Sequence, residues 1–197
     1  MRATVWASIV CVGLALCATS ADAGTRVSAR TQSYEISGKT GAALLDDMDR
    51  RGPRQGFLTR AIAQTSYSLS WTIEWAETRS ACRVSSVDGV VDITYTYPAA
   101  KGLSPALERR WNRFLSGVRR HERVHGDIAR QMARAIEKSV SRVYVGDDRG
   151  CRKARAQTKR IMAEITDDHE ARQRRYDLRE HREGGAVERL IDQLIKD

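Results

Sequence analysis

Apolar positions recur along this chain in three patterns, and each predicts a kind of element. The first is an unbroken run. Residues 5–18 are almost wholly apolar, follow Arg2, and lead to Ala21-Asp22-Ala23 before Gly24. A basic start, an apolar stretch of about 14 residues and small residues in an A-x-A arrangement predict a secretory signal peptide over residues 1–23. The run falls short of the roughly 20 residues that a membrane-spanning helix needs. No transmembrane segment is therefore expected after cleavage.

The second pattern has period two. Tyr67, Leu69, Trp71, Ile73 and Trp75 alternate with Ser66, Ser68, Ser70 and Thr72, so one face of a strand is apolar and the other carries hydroxyls. Cys82 and Val84 begin a second short strand. Asp88-Gly89 predicts a hairpin turn, and Val91, Ile93, Tyr95 and Tyr97 then alternate up to Pro98. Tyr34-Glu35-Ile36 predicts a short strand, whereas residues 24–33 are polar and read as loose. The expected sheet is small, antiparallel and buried on one face.

The third pattern is helical. Ser104-Pro105 supplies a capping residue followed by proline at the first helical position. Leu107, Trp111, Phe114 or Leu115, Val118, Ile128, Met132, Ile136 and Val140 follow in steps that form one buried stripe. The stripe has a gap between Val118 and Ile128, and His121 and His125 fill it, so both imidazoles are expected to point inward. Gly117 and Gly126 mark places where this helix could bend. A shorter helix, capped by Thr40 and stopped at Gly52-Pro53, carries Leu44, Leu45 and Met48. After a loop over residues 146–150, a second long helix carries Ile161, Ile165, His169 and Tyr176. Gly184-Gly185 ends it, and a short amphipathic tail over residues 184–197 carries Val187, Leu190, Ile191 and Leu194. The expected fold class is α+β: a small antiparallel sheet packed against two long helices, in one domain over residues 24–183.

Composition narrows the classes. The 197 residues include 34 Lys and Arg against 25 Asp and Glu, a formal charge of +9. Of the cations 28 are Arg and 6 are Lys. A basic surface suits anionic envelope polymers, while the absence of any nucleic-acid motif argues against specific nucleic-acid binding. Removal of residues 1–23 leaves Cys82 and Cys151 as the remaining cysteines. In an exported chain a lone pair most simply forms one disulfide, the alternative being two buried thiols.

His121-Glu122-Arg123-Val124-His125 is an H-E-x-x-H motif, and it falls in the middle of the long apolar-striped helix. Residues four apart sit one turn apart on the same side, so His121 and His125 can bind one Zn2+. Glu122 leans over the same side, where it can take a proton from a zinc-activated water. A catalytic zinc usually has a third protein ligand. Position 131 is Gln, so a third histidine at metzincin spacing is absent. The remaining candidates, His169, Asp177 and His181, lie on or near the second long helix, and His181 is the expected third metal ligand. Tyr176 is a candidate either for oxyanion donation or for packing.

These residues, together with Tyr34-Glu35-Ile36-Ser37-Gly38-Lys39-Thr40, Gly52-Pro53, Trp71, Trp75, Cys82, Trp111-Asn112-Arg113-Phe114, Cys151 and Tyr176-Asp177, carry a resemblance. The chain resembles the bacterial family of predicted secreted zinc-dependent proteases, a domain-of-unknown-function family with an H-E-x-x-H motif. The resemblance implies a metallopeptidase-like site on His121, Glu122 and His125 and a Cys82–Cys151 bridge. The expectation is thus a periplasmic or secreted zinc metallopeptidase acting on peptide or protein substrates of the cell envelope. The alternative is a non-catalytic basic envelope-binding protein with a structural or vestigial metal site.

Overall fold

The computed structural model describes residues 24–55 and 59–196. The expected signal peptide lies outside the described residues. In chain order the elements are β1 (Thr25–Ile36), α1 (Gly41–Arg51), the short pair β2 (Arg54–Gln55) and β3 (Thr59–Arg60), β4 (Gln64–Glu77), β5 (Ala81–Ala100), α2 (Pro105–Val140), β6 (Tyr144–Gly146), α3 (Arg152–His181) and α4 (Ala186–Ile195). The class is α+β, with one four-stranded sheet against helices.

The sheet is mixed, which corrects the all-antiparallel expectation. β4 pairs with β5 antiparallel, but β1 pairs with β5 in parallel, in the order β1-β5-β4, and β6 adds a short antiparallel stretch to β5. Parallel strands need a long connection, and here α1 and β4 lie between them in the chain. The residues read as loose, 24–33, are mostly strand. Their alternation carries little apolar contrast, so pairing is reinforced by side chains along the outer face. Ser28 Oγ donates to Asp92 Oδ1 at 2.6 Å, Arg30 Nε to Thr94 Oγ1 at 2.9 Å, and Gln32 Nε2 to Thr96 Oγ1 at 2.9 Å.

Asp88-Gly89 is not a turn. β5 runs unbroken through it, with Gly89 opposite Trp71 in the β4 register. The reversal lies instead between β4 and β5, where Thr78 N donates to Ala81 O at 2.8 Å and Thr78 Oγ1 accepts from Ala81 N at 3.0 Å.

Both predicted helix starts are present. Thr40 Oγ1 accepts from Ala43 N at 3.2 Å and Ser104 Oγ from Leu107 N at 3.4 Å, each satisfying an otherwise orphaned amide. α2 continues for 36 residues through both glycines. Gly117 and Gly126 mark close approaches, not bends. A Cβ at Gly126 would lie 2.0 Å from the Tyr95 hydroxyl oxygen, and one at Gly117 would lie 2.3 Å from Leu190 Cδ1. α4 thereby seats against α2, with Val187 and Leu194 buried.

Two apolar clusters flank the middle of α2. Leu44, Met48, Ile93, Leu107, Phe114 and Val118 belong to the first, at the N-terminal half of α2. Met132, Ile136, Val140, Ala154 and the Cys82–Cys151 disulfide belong to the second. The bridge joins β5 to the start of α3, across a separation of 69 residues. Among the described residues no helix is long and apolar enough to cross a membrane.

Candidate metal centre

Residues 121–125 lie between those clusters, where the apolar stripe of α2 gives way to imidazoles and a carboxylate. His121 and Glu122 are buried, 8% and 6% exposed, and His125 is partly buried. The spacing of four brings the two rings together: His121 Nε2 and His125 Nε2 are 3.1 Å apart.

α3 faces this pair. It is strongly polar, but its positions 161, 165, 169, 173, 177 and 181 step by four. Ile161, Ile165, His169, Gln173, Asp177 and His181 therefore wind along one flank. The flank runs antiparallel to α2. His169 meets Ile128, Gln173 meets His125, and Asp177 meets both His125 and His121. Each helix thus contributes a pair of donors four residues apart, His121 with His125 and Asp177 with His181.

Asp177 Oδ1 lies 2.8 Å from His125 Nε2 and 3.3 Å from His121 Nε2. Donor atoms of His121, Asp177 and His181 all lie within 4.8 Å of one another. Zinc ligands at 2.0–2.1 Å in a tetrahedron stand about 3.3 Å from each other, so these spacings suit a single ion. Asp177 is half-buried, and His181 is exposed at the mouth of the site.

The His125 ring is held from behind. His125 Nδ1 hydrogen-bonds Gln173 Oε1, while Gln173 Nε2 donates to the His125 carbonyl at 3.2 Å, which fixes the amide orientation. Gln173 Oε1 accepts only a proton, so Nδ1 carries one and the Nε2 lone pair of a neutral His125 is turned toward Asp177 Oδ1. A lone pair facing a carboxylate oxygen at 2.8 Å needs a cation between them, either a proton or a metal. The Tyr176 ring stacks on His121 at 4.9 Å and meets the edge of His125 at 5.2 Å.

The charge states follow this geometry. Burial alone pushes His125 down, but its hydrogen bonds to Asp177 and Gln173 outweigh that and raise it above the usual histidine value. Burial pushes the Asp177 carboxyl up, yet the two histidines hold it well below the usual carboxylate range. Burial also raises the Tyr176 phenol to about 12, so it stays protonated at neutral pH.

Glu122 stands beside the cluster. Its Oε2 accepts from Thr65 Oγ1, 2.7 Å away, and its backbone oxygen is 2.9 Å from the same hydroxyl. Thr65 is the second residue of β4, the edge strand, so the sheet edge positions the carboxylate. A cleft of about 680 Å³ contains Glu122, His121, His125, Asp177 and His181 in its lining.

His169, one of the candidate ligands, is elsewhere. It is 2% exposed, with Nδ1 3.2 Å from Ile128 O and Nε2 2.9 Å from the Tyr67 hydroxyl. Both nitrogens are thus satisfied away from the cluster. Two further residues belong to the site, Thr65 and Gln173. The sequence signal for Gln173 is its place midway between His169 and Asp177 in the four-residue series. Thr65 has none, because only the β4–α2 packing brings it to Glu122.

The structure therefore defines an α+β chain whose paired helices carry a histidine–carboxylate donor cluster over a cleft. Residues 31–185 match the family described as a bacterial protein of unknown function (DUF922), and the chain belongs to that family. No curated protein and no solved structure matches it.

Proposed function

We propose that this chain is an exported zinc-dependent metallopeptidase. The observation that carries the reading is the convergence of His121 Nε2, His125 Nε2 and Asp177 Oδ1 at 2.8–3.3 Å beside the Glu122 carboxylate. Two imidazole nitrogens and a carboxylate form a donor set that suits zinc. His121 and His125 would hold the ion, and the Asp177–His181 pair would supply the remaining donor or donors, with Asp177 already touching both rings.

Zinc bound there supplies Lewis acidity toward water and a substrate carbonyl. Glu122 takes the proton of the attacking water and returns it to the leaving amine, which completes hydrolysis of the amide bond. Thr65 holds one oxygen of that carboxylate. Gln173 keeps the proton of His125 on Nδ1, and Tyr176 packs against both rings, stacked on His121 and edge-on to His125. The A-x-A pattern after the apolar N-terminal run and the Cys82–Cys151 disulfide both favour an oxidising compartment, the periplasm or the exterior. Peptides or proteins of the envelope are then the substrates within reach.

One observation favours a second reading. Asp177 and His181 both offer a donor atom within 4.8 Å of His121, and a zinc that engaged every donor around it and kept no open position would serve structure. The chain would then be a non-catalytic, basic, envelope-binding protein. Zinc-loaded protein tested on a denatured protein substrate separates the two. Cleavage that Glu122→Gln abolishes while metal content is kept supports the peptidase. Unimpaired function in Glu122→Gln supports the structural site.

A further inference from the structure

The cleft is not polar throughout. Ile62, Ala63, Val118, Leu178 and Val187 also line it, contributed by the approach to β4 and by α2, α3 and α4. Their places relative to the donors are set by element geometry. Val118 precedes His121 by three residues, so it shares that face of α2 and lies about 4.5 Å nearer the N-terminus. Ile62 and Ala63 precede Thr65 by three and two residues, about 7–10 Å along extended chain. Val187, at the start of α4, lines the same cleft as Val118, and α4 is seated on α2 by Leu190 against Gly117.

An extended peptide advances about 3.5 Å per residue. A carbonyl held at the donor cluster therefore presents a neighbouring side chain to this apolar wall. The rim adds a second observation. Leu178 sits beside Asp177, shares a face with His181, lines the cleft and is 73% exposed.

Resting on the metallopeptidase reading above, we infer that the cleft selects a peptide by an aliphatic or aromatic side chain of leucine to phenylalanine size beside the bond to be cut. Ile62, Val118 and Val187 form the wall that receives it and Leu178 closes over it. Arg60 and Asp49 also line the cleft, so a charged side chain is disfavoured at the position that faces Ile62, Val118 and Val187, where burial removes its hydration.

The test uses the zinc-loaded Glu122→Gln protein, which keeps the cleft and does not turn over. Two fluorescently labelled, end-blocked tetrapeptides that differ at one position, leucine or aspartate, are titrated by anisotropy with the variable residue placed in turn at each position. The leucine peptide is expected to bind at least about 10-fold tighter at one position, from the burial of that side chain alone. Leu178→Asp, a change at an exposed residue, is expected to remove most of the preference with the circular dichroism spectrum unchanged. Val187→Asp should do the same if it folds.

Equal affinity for the two peptides, no binding of either, or a preference that survives Leu178→Asp overturns the inference. The wild-type protein separates this from the parent reading. Cleavage of both peptides at equal rates keeps the peptidase and removes the apolar pocket. Preferential binding of the leucine peptide without cleavage of either keeps the pocket and removes the peptidase.

Discussion

Asp177 Oδ1 lies 2.8 Å from His125 Nε2, and this contact ties the end of α3 to the middle of α2. The two residues are 52 positions apart in the numbering (177 − 125), and their helices meet because the disulfide, β6 and the second apolar cluster fold α3 back along α2. A donor cluster then forms on the inward side of both helices.

Gln173 is expected to set metal affinity without touching metal. It receives the Nδ1 proton of His125 and so leaves Nε2 available. Gln173→Ala should weaken zinc binding by roughly 10–100-fold, in line with the loss of comparable supporting hydrogen bonds. Competition with a chromophoric chelator measures this, and Gln173→Leu, which fills the space but accepts no proton, should behave like alanine.

Metal binding should weaken as the solution becomes more acidic, beginning above the usual histidine value. His125 titrates higher than normal because Asp177 and Gln173 favour its protonated form over the opposing effect of burial. Zinc must displace that proton. Apparent affinity should therefore fall with decreasing pH, starting higher than a histidine of the usual value would dictate. Calorimetry in two buffers of different ionisation enthalpy should detect proton release on zinc binding, growing as the pH falls.

Asp47 links the stability of the fold to pH in the same direction, through a depressed carboxylate. Its carboxylate accepts from Ser37 N at 2.8 Å and pairs with Arg51 at 3.0 Å and Arg50 at 3.2 Å, and its pKa is lowered, first by the Ser37 amide. A depressed folded-state pKa stabilises above the unfolded value of about 3.9 and is lost as pH falls through the folded value. Asp47→Asn should lower stability at pH 7 and flatten the decline below about pH 4, as followed by urea denaturation at several pH values.

Gly126 should tolerate no side chain. A Cβ there would meet the Tyr95 hydroxyl at 2.0 Å. Gly126→Ala should cost about 1–3 kcal/mol through overpacking, and Tyr95→Phe in the same chain should recover part of that loss. The bridge between Cys82 and Cys151 should contribute more. Its removal by Cys82→Ser with Cys151→Ser is expected to cost about 2–5 kcal/mol, read from denaturant midpoints.

Local chemistry made α2 legible before any coordinates. Ser104-Pro105 announces its start, and the stripe from Leu107 to Val140 leaves a gap that only His121 and His125 fill. The inward direction of both rings follows from that gap. The α3 donors are harder to rank, because this helix is polar on nearly every side and buries only Ala154, Thr158 and His169. His169 sits on the same four-residue series as Asp177 and differs only in which part of α2 it meets. β1 is hidden for another reason. Arg26, Ser28, Arg30 and Gln32 face one way and Val27, Ala29, Thr31 and Ser33 the other, a weak contrast at a sheet edge, and its partner lies 64 residues on. Asp88-Gly89 misled because a dipeptide suited to turns lies in a strand whose partner covers it with Trp71.

The most direct measurement is anomalous diffraction at the zinc absorption edge from crystals of the protein grown with zinc. One strong peak per chain is expected, about 2.0–2.2 Å from His121 Nε2 and His125 Nε2 and from a donor atom of Asp177 or His181, and absent in crystals of His125→Ala. A peak elsewhere on the chain, or none between α2 and α3, would contradict the proposed centre.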